Sequence, residues 1–481
     1  MLDEKEVSLI VEQVLKNVLS GQKADNSTKQ SLMGVFDTME EALAATKKAY
    51  AEYKGFSIEQ REAIITEIRK ITRENARKLA EMGVKETGMG RVDHKEIKHY
   101  LVADKTPGTE DLKTTAWSGD KGLTLIEMSP FGIIGAITPS TNPSETVLCN
   151  SMGMLAAGNA VVFGPHPGAI NTSNFAVDLV NKAIVKAGGP QNLVSSVYKA
   201  SMDATAVLMK DKDIKLMVAT GGPGVVKTLL SSGKKAIGAG AGNPPVIVDD
   251  TADIKKAAKD IIDGCTFDNN LPCIAEKEVI AFKSITDELV YYMQQNGAYL
   301  INAEQVEKLV KVVLTEKEEL QGKGCTDRPR RVLMLNKKWV GKDAKLFLKE
   351  IGIDVGDEIR CIICITDESH PFVQEELMMP ILPIVKVDDI DEAVEVAVRC
   401  EHGNRHSAHM HSKNIDNLSK FAKAIGTTIF VKNAPSYAGI GVGSEGYTTF
   451  TIAGPTGEGL TSAKTFTRQR RCVLVDGLSI R

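Results

Sequence analysis

The sequence predicts an α/β protein built on parallel sheets, and three observations support this fold class. The 481 residues are enough for two to four domains of roughly 100 to 200 residues each. The composition, with 43% hydrophobic and 5% aromatic residues and 41 glycines, favours sheets and helices that pack through small aliphatic side chains. From about residue 131 onwards, strand-like apolar runs alternate with helical ones, which is typical of βαβ units.

Charge and cysteine content narrow the class of function. The 59 Lys and Arg residues are balanced by 62 Asp and Glu residues, for a net charge of -3, so the chain has no basic field for nucleic acid or an anionic membrane. No apolar run approaches the roughly 20 residues that cross a bilayer. Eight cysteines are too few for a disulfide scaffold, and no secretory signal precedes them. We therefore expect a cytoplasmic protein with most of its thiols packed in the interior.

Residues 1–20 predict an amphipathic helix that stands apart from the rest of the chain. Its apolar face is formed by Val7, Ile10, Val11, Val14 and Val18. Residues 21–34 are polar and poor in core residues, which is typical of a linker. A short helix on such a tether needs a partner surface for its apolar face, either on another protein or on its own domain.

Two alternating blocks follow a helical region that runs from about residue 35 to Gly90. The first block predicts strands at Phe131–Ile137, Ala160–Phe163, Leu193–Val197, Leu216–Ala219 and Val246–Val248. The second block predicts strands at Glu278–Phe282, Arg331–Leu335, Ile362–Ile365 and Ile381–Val385. Each block therefore predicts one α/β domain. Thr465–Val475 predicts an edge strand that reaches a neighbouring subunit.

The segment Thr266–Cys273 contains the strongest local signal for catalysis. It is a polar, turn-prone approach to a single cysteine, and a strand follows at Glu278. A thiol at a loop end beside a possible helix start can have a lowered pKa and act as a nucleophile. The alternative is that Cys273 is a small buried hydrophobic residue, as most free cysteines are.

Two motifs that could bind metal are interpreted as structural. Cys361 and Cys364 have C-x-x-C spacing, but an apolar strand pattern places residues three apart on opposite faces of a sheet. On a strand, His409 and His411 share a face and His406 does not, and no carboxylate or cysteine stands at ligand spacing. We expect no metal site, and an acid/base or electrostatic role for one histidine near a cysteine.

Three glycine-rich segments permit a close approach of the backbone to a ligand. They are Ala219–Gly224, Gly238–Gly242 and Gly439–Gly443. None is a phosphate-binding P-loop, and no G-x-G-x-x-G follows the first strand in the expected way. Their place after strands still suggests a nucleotide, because a helix that begins after such a turn favours phosphate.

Taken together, the motifs resemble the aldehyde dehydrogenase superfamily and, within it, the CoA-acylating branch found with bacterial microcompartments. The segments that carry the resemblance are Ile137–Pro143, Gly158–Pro167, Thr220–Gly222, Gly240–Pro245, Asn269–Cys273, Glu375–Pro380 and Glu401–Ala408. The resemblance implies an aldehyde dehydrogenase-like fold, with a Rossmann-like NAD-binding domain (35–245), an α/β catalytic domain (246–445) and a small β oligomerisation element. Residues 113–128 and the C-terminal return, 446–481, would form that element and give a homodimer or homotetramer.

The resemblance also implies a mechanism. The Cys273 thiolate adds to an aldehyde, and a side-chain amide together with the Cys273 N–H holds the oxyanion. Asn142 is the candidate for this amide, although a gapless match of the flanking prolines puts Thr141 at the superfamily's asparagine. Hydride passes to the nicotinamide, and CoA then attacks the acyl-cysteine with the aid of His406 or, as the alternative, His402. The residues that the resemblance assigns to cofactor binding are Thr138, Pro139, His166, Thr220, Gly221, Gly222 and, for the nicotinamide ribose, Glu376.

Two departures from the hydrolytic members bear on the acyl acceptor and the cofactor. The segment before Asn243 lacks the glutamate that activates water in those enzymes, since it contains only Gly238–Gly242. A thioester that resists water can be cleaved by CoA, so the expected reaction is reversible oxidation of acetaldehyde or propionaldehyde to its acyl-CoA. The Lys and Glu that bind the adenosine ribose in those members are absent near Gly164–Pro167, so NAD is expected and NADP stays open.

Three other functions stay open at this point. They are an acyl-phosphate reductase of the same superfamily, a cofactor-free cysteine acyltransferase and a structural cargo adaptor. Residues 1–20 resemble the encapsulation peptides that dock such enzymes to a shell or cargo protein by helix-in-groove burial. The resemblance therefore implies a location in the cytoplasm, inside a bacterial microcompartment.

Overall fold

The computed structural model describes residues 32–320 and 329–479. The helix predicted for 1–20 and the linker up to residue 31 lie outside the described residues. The described helices are α1 (Met39–Tyr53), α2 (Ile58–Thr87), α3 (Val92–Lys105), α4 (Pro143–Ala156), α5 (Ile170–Lys186), α6 (Met202–Lys210), α7 (Pro223–Leu230), α8 (Ile254–Thr266), α9 (Thr286–Gln295), α10 (Ala303–Val313), α11 (Ala344–Glu350), α12 (Pro371–Gln374), α13 (Ile390–Cys400) and α14 (Ile415–Ile425). The described strands are β1 (Val35–Phe36), β2 (Thr115–Gly119), β3 (Gly122–Pro130), β4 (Ile133–Ile137), β5 (Ala160–Gly164), β6 (Val194–Val197), β7 (Ile214–Thr220), β8 (Lys235–Ala239), β9 (Pro245–Val248), β10 (Glu278–Phe282), β11 (Ala298–Leu300), β12 (Leu314–Leu320), β13 (Pro329–Leu335), β14 (Cys361–Thr366), β15 (Ile381–Val387), β16 (Ser407–His411), β17 (Ile429–Lys432), β18 (Ile452–Ala453), β19 (Gly459–Leu460) and β20 (Thr467–Val475).

The helical region predicted from residue 35 to Gly90 consists of α1 and α2. Each begins at a capping box, in which the side chains of Thr38 and Ser57 accept a hydrogen bond from the third backbone N–H of the helix. The second helix ends at Gly88, whose φ of +66° is the left-handed conformation that glycine adopts at low cost. α1 packs on β5 and β6, so this region covers one face of the first sheet. None of the helices described is both long and apolar enough to cross a bilayer.

The first large sheet is parallel, with the strand order β1-β6-β5-β4-β7-β8. The chain runs outward from β4 through β5 and β6, and then returns to the other side of β4 as β7 and β8. This reversal makes the carboxyl ends of β4 and β7 a topological switch point, which is where open α/β sheets bind dinucleotides. The strand interiors are buried between helices, as the apolar runs predicted.

The second large sheet is also parallel, with the order β11-β14-β15-β10-β9-β16-β17. Cys361 and Cys364 both lie in β14 and are fully buried. Cys361 packs in the apolar cluster that contains Val246, whereas Cys364 packs in a separate cluster that contains Phe347. The two thiols therefore lie on opposite faces of the sheet, as the strand pattern predicted.

Smaller antiparallel pairs account for the other predicted strands. The strand predicted at Arg331–Leu335 belongs to β13, which pairs with β12 in a separate two-stranded ribbon. Because β12 is rich in Glu and Lys, it cannot lie in a sheet that is covered on both faces. The C-terminal strand, β20, pairs with β3 of its own chain, and β3 pairs with β2.

Most thiols of the described residues pack in the interior, as expected, and Cys472 is an exception. This residue lies on β20, which is exposed along nearly its whole length, and its thiol is exposed. The physical reason is that the β2-β3-β20 sheet has a face that no other described element of the chain covers. Cys325 lies outside the described residues. The thiols that are buried as expected are Cys149, Cys265, Cys361, Cys364 and Cys400.

Candidate active site

The carboxyl edge of the first sheet carries most of the residues predicted to bind the cofactor. Thr138 and Pro139 follow β4, His166 follows β5, and Thr220–Gly222 lies at the end of β7. These three strands are neighbours in the sheet. The structure therefore brings the segments together at the switch point.

The backbone at this edge is open at two glycines. A β-carbon placed on Gly221 or Gly222 would meet no atom within 4 Å. Gly222 is also the N-cap residue of α7, and free N–H groups at a helix start favour phosphate. The Thr138 hydroxyl is buried and has no hydrogen-bond partner among the described residues, which makes it available to a ligand.

Cys273 lies at the amino-terminal edge of the second large sheet, whereas the cofactor residues lie at the carboxyl edge of the first. The connection from α8 to β10 places it at the amino end of β10. Gly242 precedes β9, Glu376 precedes β15, and His406 precedes β16 at the same edge. Because β15, β10, β9 and β16 are consecutive in the second sheet, these four residues come from neighbouring positions.

The loop that leads to the thiol has an uncommon backbone conformation. Asp268, Asn269 and Asn270 have φ values of +51°, +55° and +66°, and such left-handed conformations are uncommon outside Gly, Asn and Asp. Lys98 donates to the Asp268 carboxylate at 2.6 Å, and Lys277 donates to the Asn270 side chain at 2.6 Å. Buried ammonium groups thus hold both ends of this run, and its Asp and Asn residues explain the turn-prone signal in the sequence.

The Cys273 thiol is half-buried and packs against the apolar cluster that contains Leu101 and Ile440. Burial, with the nearby Glu376 carboxylate as the next cause, raises the pKa of Cys273 to about 12, although Lys277 and Lys98 act in the opposite direction. A turn, and not a helix, begins at Cys273. The predicted lowering of its pKa by a helix start is therefore wrong, because desolvation of the thiolate dominates.

Gly242 brings three of the candidate residues together. A β-carbon at this position would lie 2.8 Å from Cγ of His406 and 3.0 Å from the carbonyl oxygen of Cys273. The Gly242 N–H lies close enough to the Glu376 carboxylate to lower the pKa of that carboxyl. Only glycine fits between these groups without a shift, so this segment is a packing surface on which the histidine ring approaches the backbone of the cysteine.

His406 is fully buried and neutral at pH 7. Burial, followed by the charge of Lys277, lowers the pKa of His406 to about 4. Its Nδ1 forms a 2.8 Å hydrogen bond with Oγ of Ser407, and its Nε2 has no partner in the part of the chain that the structure describes. His402, by contrast, is exposed and its Nε2 donates to a backbone carbonyl at 3.0 Å. Of the two histidines, His406 is the one that lies beside Cys273.

Asn142 is the buried N-cap residue of α4, and one contact fixes its side-chain orientation. Nζ of Lys98 donates to Oδ1 of Asn142 at 2.5 Å, so the carboxamide nitrogen must point away from the lysine. This nitrogen lies 3.4 Å from Oγ1 of Thr141, which is a long contact. Asn142 therefore offers an oriented N–H donor, whereas Thr141 offers a half-buried hydroxyl.

A buried ionic cluster in the site was missed from the sequence. Lys95, Lys98, Glu145 and Asp268 are almost completely buried, and Lys98 lies 3.0 Å from the Glu145 carboxylate and 2.6 Å from that of Asp268. Two cations balance two anions, as buried charges require. The available signal was the spacing of the two lysines in α3, which places them on the helix face that also carries the buried Val102.

Comparisons with known proteins agree with this geometry. A family model, described as the aldehyde dehydrogenase family, matches residues 28–446. The acetaldehyde dehydrogenase (acetylating) EutE of Salmonella typhimurium is 46% identical over 473 residues, which cover 98% of this chain and 99% of that protein.

Two solved structures are similar over almost their whole length. A propionaldehyde dehydrogenase from the Clostridium phytofermentans fucose utilisation bacterial microcompartment is 60% identical, with a TM-score of 0.88 over 93% of this chain and 100% of that one. A propionaldehyde dehydrogenase of Rhodopseudomonas palustris, solved with bound CoA and an acylated cysteine, is 53% identical, with a TM-score of 0.88 over 93% of this chain and 99% of that one. The predicted superfamily and fold are thereby confirmed: the chain belongs to the aldehyde dehydrogenase family.

Proposed function

We propose that this protein oxidises a short aldehyde, acetaldehyde or propionaldehyde, to its acyl-CoA, with NAD as hydride acceptor and CoA as acyl acceptor. The observation that carries the proposal is the packing of Gly242 between His406 and the backbone of Cys273. The glycine-rich segment Gly238–Gly242 has no side chain there that could activate water. The relatives support it, since one is an acetylating acetaldehyde dehydrogenase and another was solved with CoA and an acylated cysteine.

Cys273 supplies the nucleophile. Its sulfur adds to the aldehyde carbon, and the carbonyl oxygen becomes an oxyanion that the Asn142 amide and the Cys273 backbone N–H hold. Hydride then leaves the thiohemiacetal carbon, and a cysteinyl thioester results. The resting thiol keeps its proton, which passes to water as the sulfur adds to the aldehyde. The charges of Lys277 and Lys98 favour the thiolate, against the effect of burial.

The residues at the edge of the first sheet fit a nicotinamide dinucleotide, which accepts the hydride when it is bound. The open backbone at Gly221 and Gly222 and the unpaired hydroxyl of Thr138 would hold its phosphates and ribose. Glu376, which is close enough to Cys273 to raise its pKa, would bind the nicotinamide ribose. In this proposal residues 35–245 form the cofactor-binding domain, which also supplies Asn142, and residues 246–445 form the catalytic domain, which also supplies Glu376.

His406 acts in the transfer to CoA. Its neutral ring has an Nε2 atom that is free of partners among the described residues. This nitrogen accepts the proton of the CoA thiol as the CoA sulfur attacks the thioester carbon. The acyl–sulfur bond to Cys273 then breaks, and acyl-CoA leaves.

One assay tests the proposed function. Reduced nicotinamide is followed by absorbance with propionaldehyde, with and without CoA, for the unaltered protein, Cys273→Ala and the control Cys472→Ala. We expect CoA-dependent turnover that only Cys273→Ala abolishes. Sustained turnover without CoA would contradict the argument from Gly242, and turnover with phosphate in place of CoA would favour an acyl-phosphate reductase. A complete absence of hydride transfer would favour a cysteine acyltransferase or a cargo adaptor.

We further propose that residues 1–20 dock the enzyme to a shell or cargo protein of a bacterial microcompartment. The propionaldehyde dehydrogenase that is 60% identical comes from such a compartment, which supports the proposal. Deletion of residues 1–20 should leave kcat unchanged and release the enzyme from purified compartments. Retention of the shortened enzyme in the compartments would overturn it.

A homodimer or homotetramer is proposed to form through the β2-β3-β20 sheet. Trp117, Val473 and Val475 on this sheet are 54%, 55% and 63% exposed, and clustered apolar exposure of this kind is typical of an interface. Val473→Glu combined with Val475→Glu should lower the mass measured by light scattering to that of one chain. An unchanged oligomeric mass would exclude this surface.

A further inference from the structure

Lys98 makes contacts that its electrostatic effect on Cys273 does not explain. Its side chain is completely buried. Its ammonium group donates hydrogen bonds to Oδ1 of Asn142 at 2.5 Å and to Oδ2 of Asp268 at 2.6 Å, and it forms an ion pair with Oε1 of Glu145 at 3.0 Å. Asn142 and Glu145 belong to the start of α4, whereas Asp268 belongs to the loop before Cys273, so one nitrogen atom joins two separate parts of the chain.

We propose that Lys98 is a positioning residue for the reaction, which orients the Asn142 carboxamide so that its N–H groups face the substrate oxygen. The inference rests on the proposed oxyanion role of Asn142. An ammonium group can only donate hydrogen bonds, so it must meet the carboxamide oxygen and turn the nitrogen outward. Without Lys98 the carboxamide could rotate and present its oxygen, which would repel the oxyanion instead of stabilising it.

The same ammonium group also contacts the loop that leads to the second proposed oxyanion donor. Asp268 begins the left-handed run of residues 268–270 that leads to Cys273, and the Cys273 N–H is that donor. Lys95 provides a useful contrast, because it also donates to Asp268, at 3.0 Å, but its other acceptor is the backbone carbonyl of Thr141 at 2.9 Å. Lys98 is thus the lysine of this pair that can orient a side-chain amide.

The experiment compares Lys98→Met/Glu145→Gln with Glu145→Gln. The double variant removes one cation and one anion, so the buried cluster keeps its charge balance. We expect kcat for propionaldehyde with NAD and CoA to fall about 100-fold relative to Glu145→Gln, which is the usual effect of losing one oxyanion donor. KM for propionaldehyde should change by less than about 3-fold, since the lost interaction acts on the transition state.

Two further measurements separate positioning from a purely structural role. Alkylation of Cys273 by iodoacetamide forms no oxyanion, so its rate should fall only through the effect of the lost charge on the thiol pKa, by far less than the fall of about 100-fold expected in kcat. In an Asn142→Ala background, removal of Lys98 should lower kcat by less than about 3-fold, because residues that act through one another are not additive. Thermal unfolding shows whether each variant folds. Lys98→Met/Glu145→Leu is the alternative if the first pair does not fold, since apolar side chains often replace a buried ion pair without loss of stability.

The outcomes distinguish this inference from the proposed function. A kcat close to that of Glu145→Gln, a parallel loss of alkylation rate, or full additivity with Asn142→Ala would overturn the role of Lys98 while the proposed function stands. An unaltered protein that transfers no hydride in the presence of CoA would instead overturn the proposed function, and this role with it.

Discussion

Substitution of Gly242 by Ala tests the geometry of the site most directly. The added β-carbon would lie 2.8 Å from Cγ of His406 and 3.0 Å from the Cys273 carbonyl oxygen, whereas ordinary contact begins at 3.4 Å. The ring must therefore move away from the new β-carbon by about 0.6 Å and the carbonyl oxygen by about 0.4 Å. The core is packed too tightly to absorb such shifts elsewhere. Catalytic groups need placement to within about 0.5 Å, so we expect kcat with propionaldehyde and CoA to fall about 10- to 100-fold.

The matched control is Gly240→Ala on the same segment. Its β-carbon would lie 3.4 Å from Cγ of Pro455, which is an ordinary contact, so kcat should stay within about 3-fold of the unaltered value. Overpacking at Gly242 should also cost about 1 to 3 kcal/mol of unfolding free energy, which urea denaturation measures. A Gly242→Ala variant with full activity would refute the view that His406 and Cys273 are held together at this point.

Three further predictions concern buried ionisable groups. His406→Ala should lower CoA-dependent turnover about 100-fold but leave the first burst of reduced nicotinamide intact in rapid mixing, whereas His402→Ala should change neither. Because the pKa of His406 is about 4, the CoA step should not respond to this group between pH 6 and 8. Slow transfer of hydride in His406→Ala would contradict the assignment. Lys277→Met should slow alkylation of Cys273 by iodoacetamide at pH 8, because it removes a cation that lowers the thiol pKa; an equal or faster rate would show that its charge has no effect on the thiol. Glu278→Gln should remove a pH dependence of stability, because burial raises the pKa of Glu278 well above its usual value and neither carboxyl oxygen has a partner among the described residues. The contribution of Glu278 to the free energy of unfolding is therefore largest below the unfolded pKa of about 4.3. It falls as pH rises, by up to about 1.4 kcal/mol per pH unit. Urea unfolding from pH 5 to pH 8 measures this slope, and an identical slope in Glu278→Gln would refute it.

The sheets could be predicted from the sequence because their signal is local. Apolar runs such as Ala160–Phe163 and Ile381–Val385 are buried on both faces, and burial on both faces requires such continuous runs. The order of the strands is not a local property, so the sequence could not show that the run at Arg331–Leu335 lies outside the second large sheet. Its partner strand is charged and lies in an antiparallel ribbon outside the core.

The electrostatics of the site could not be predicted, because they depend on burial by distant segments. Lys98 and Lys277 look like ordinary surface lysines in the sequence, yet both are buried near Cys273. The choice between His402 and His406 also needed the fold, since only four positions separate them and only His406 packs against Gly242. The polar residues before Cys273 predict a helix start, but in the fold they form a left-handed turn.

A single physical cause, desolvation, prepares the site for both halves of the proposed reaction. It raises the pKa of Cys273 to about 12 and that of Glu376 to about 7, and it lowers that of His406 to about 4. The resting thiol is therefore neutral and weakly reactive, because the thiolate is the species that oxidants and alkylating agents attack. The neutral ring of His406 is in the form that can accept a proton from the CoA thiol. The buried ammonium groups of Lys98 and Lys277 are already in place, so negative charge that develops on the thiolate or the oxyanion is stabilised without reorganisation of the protein.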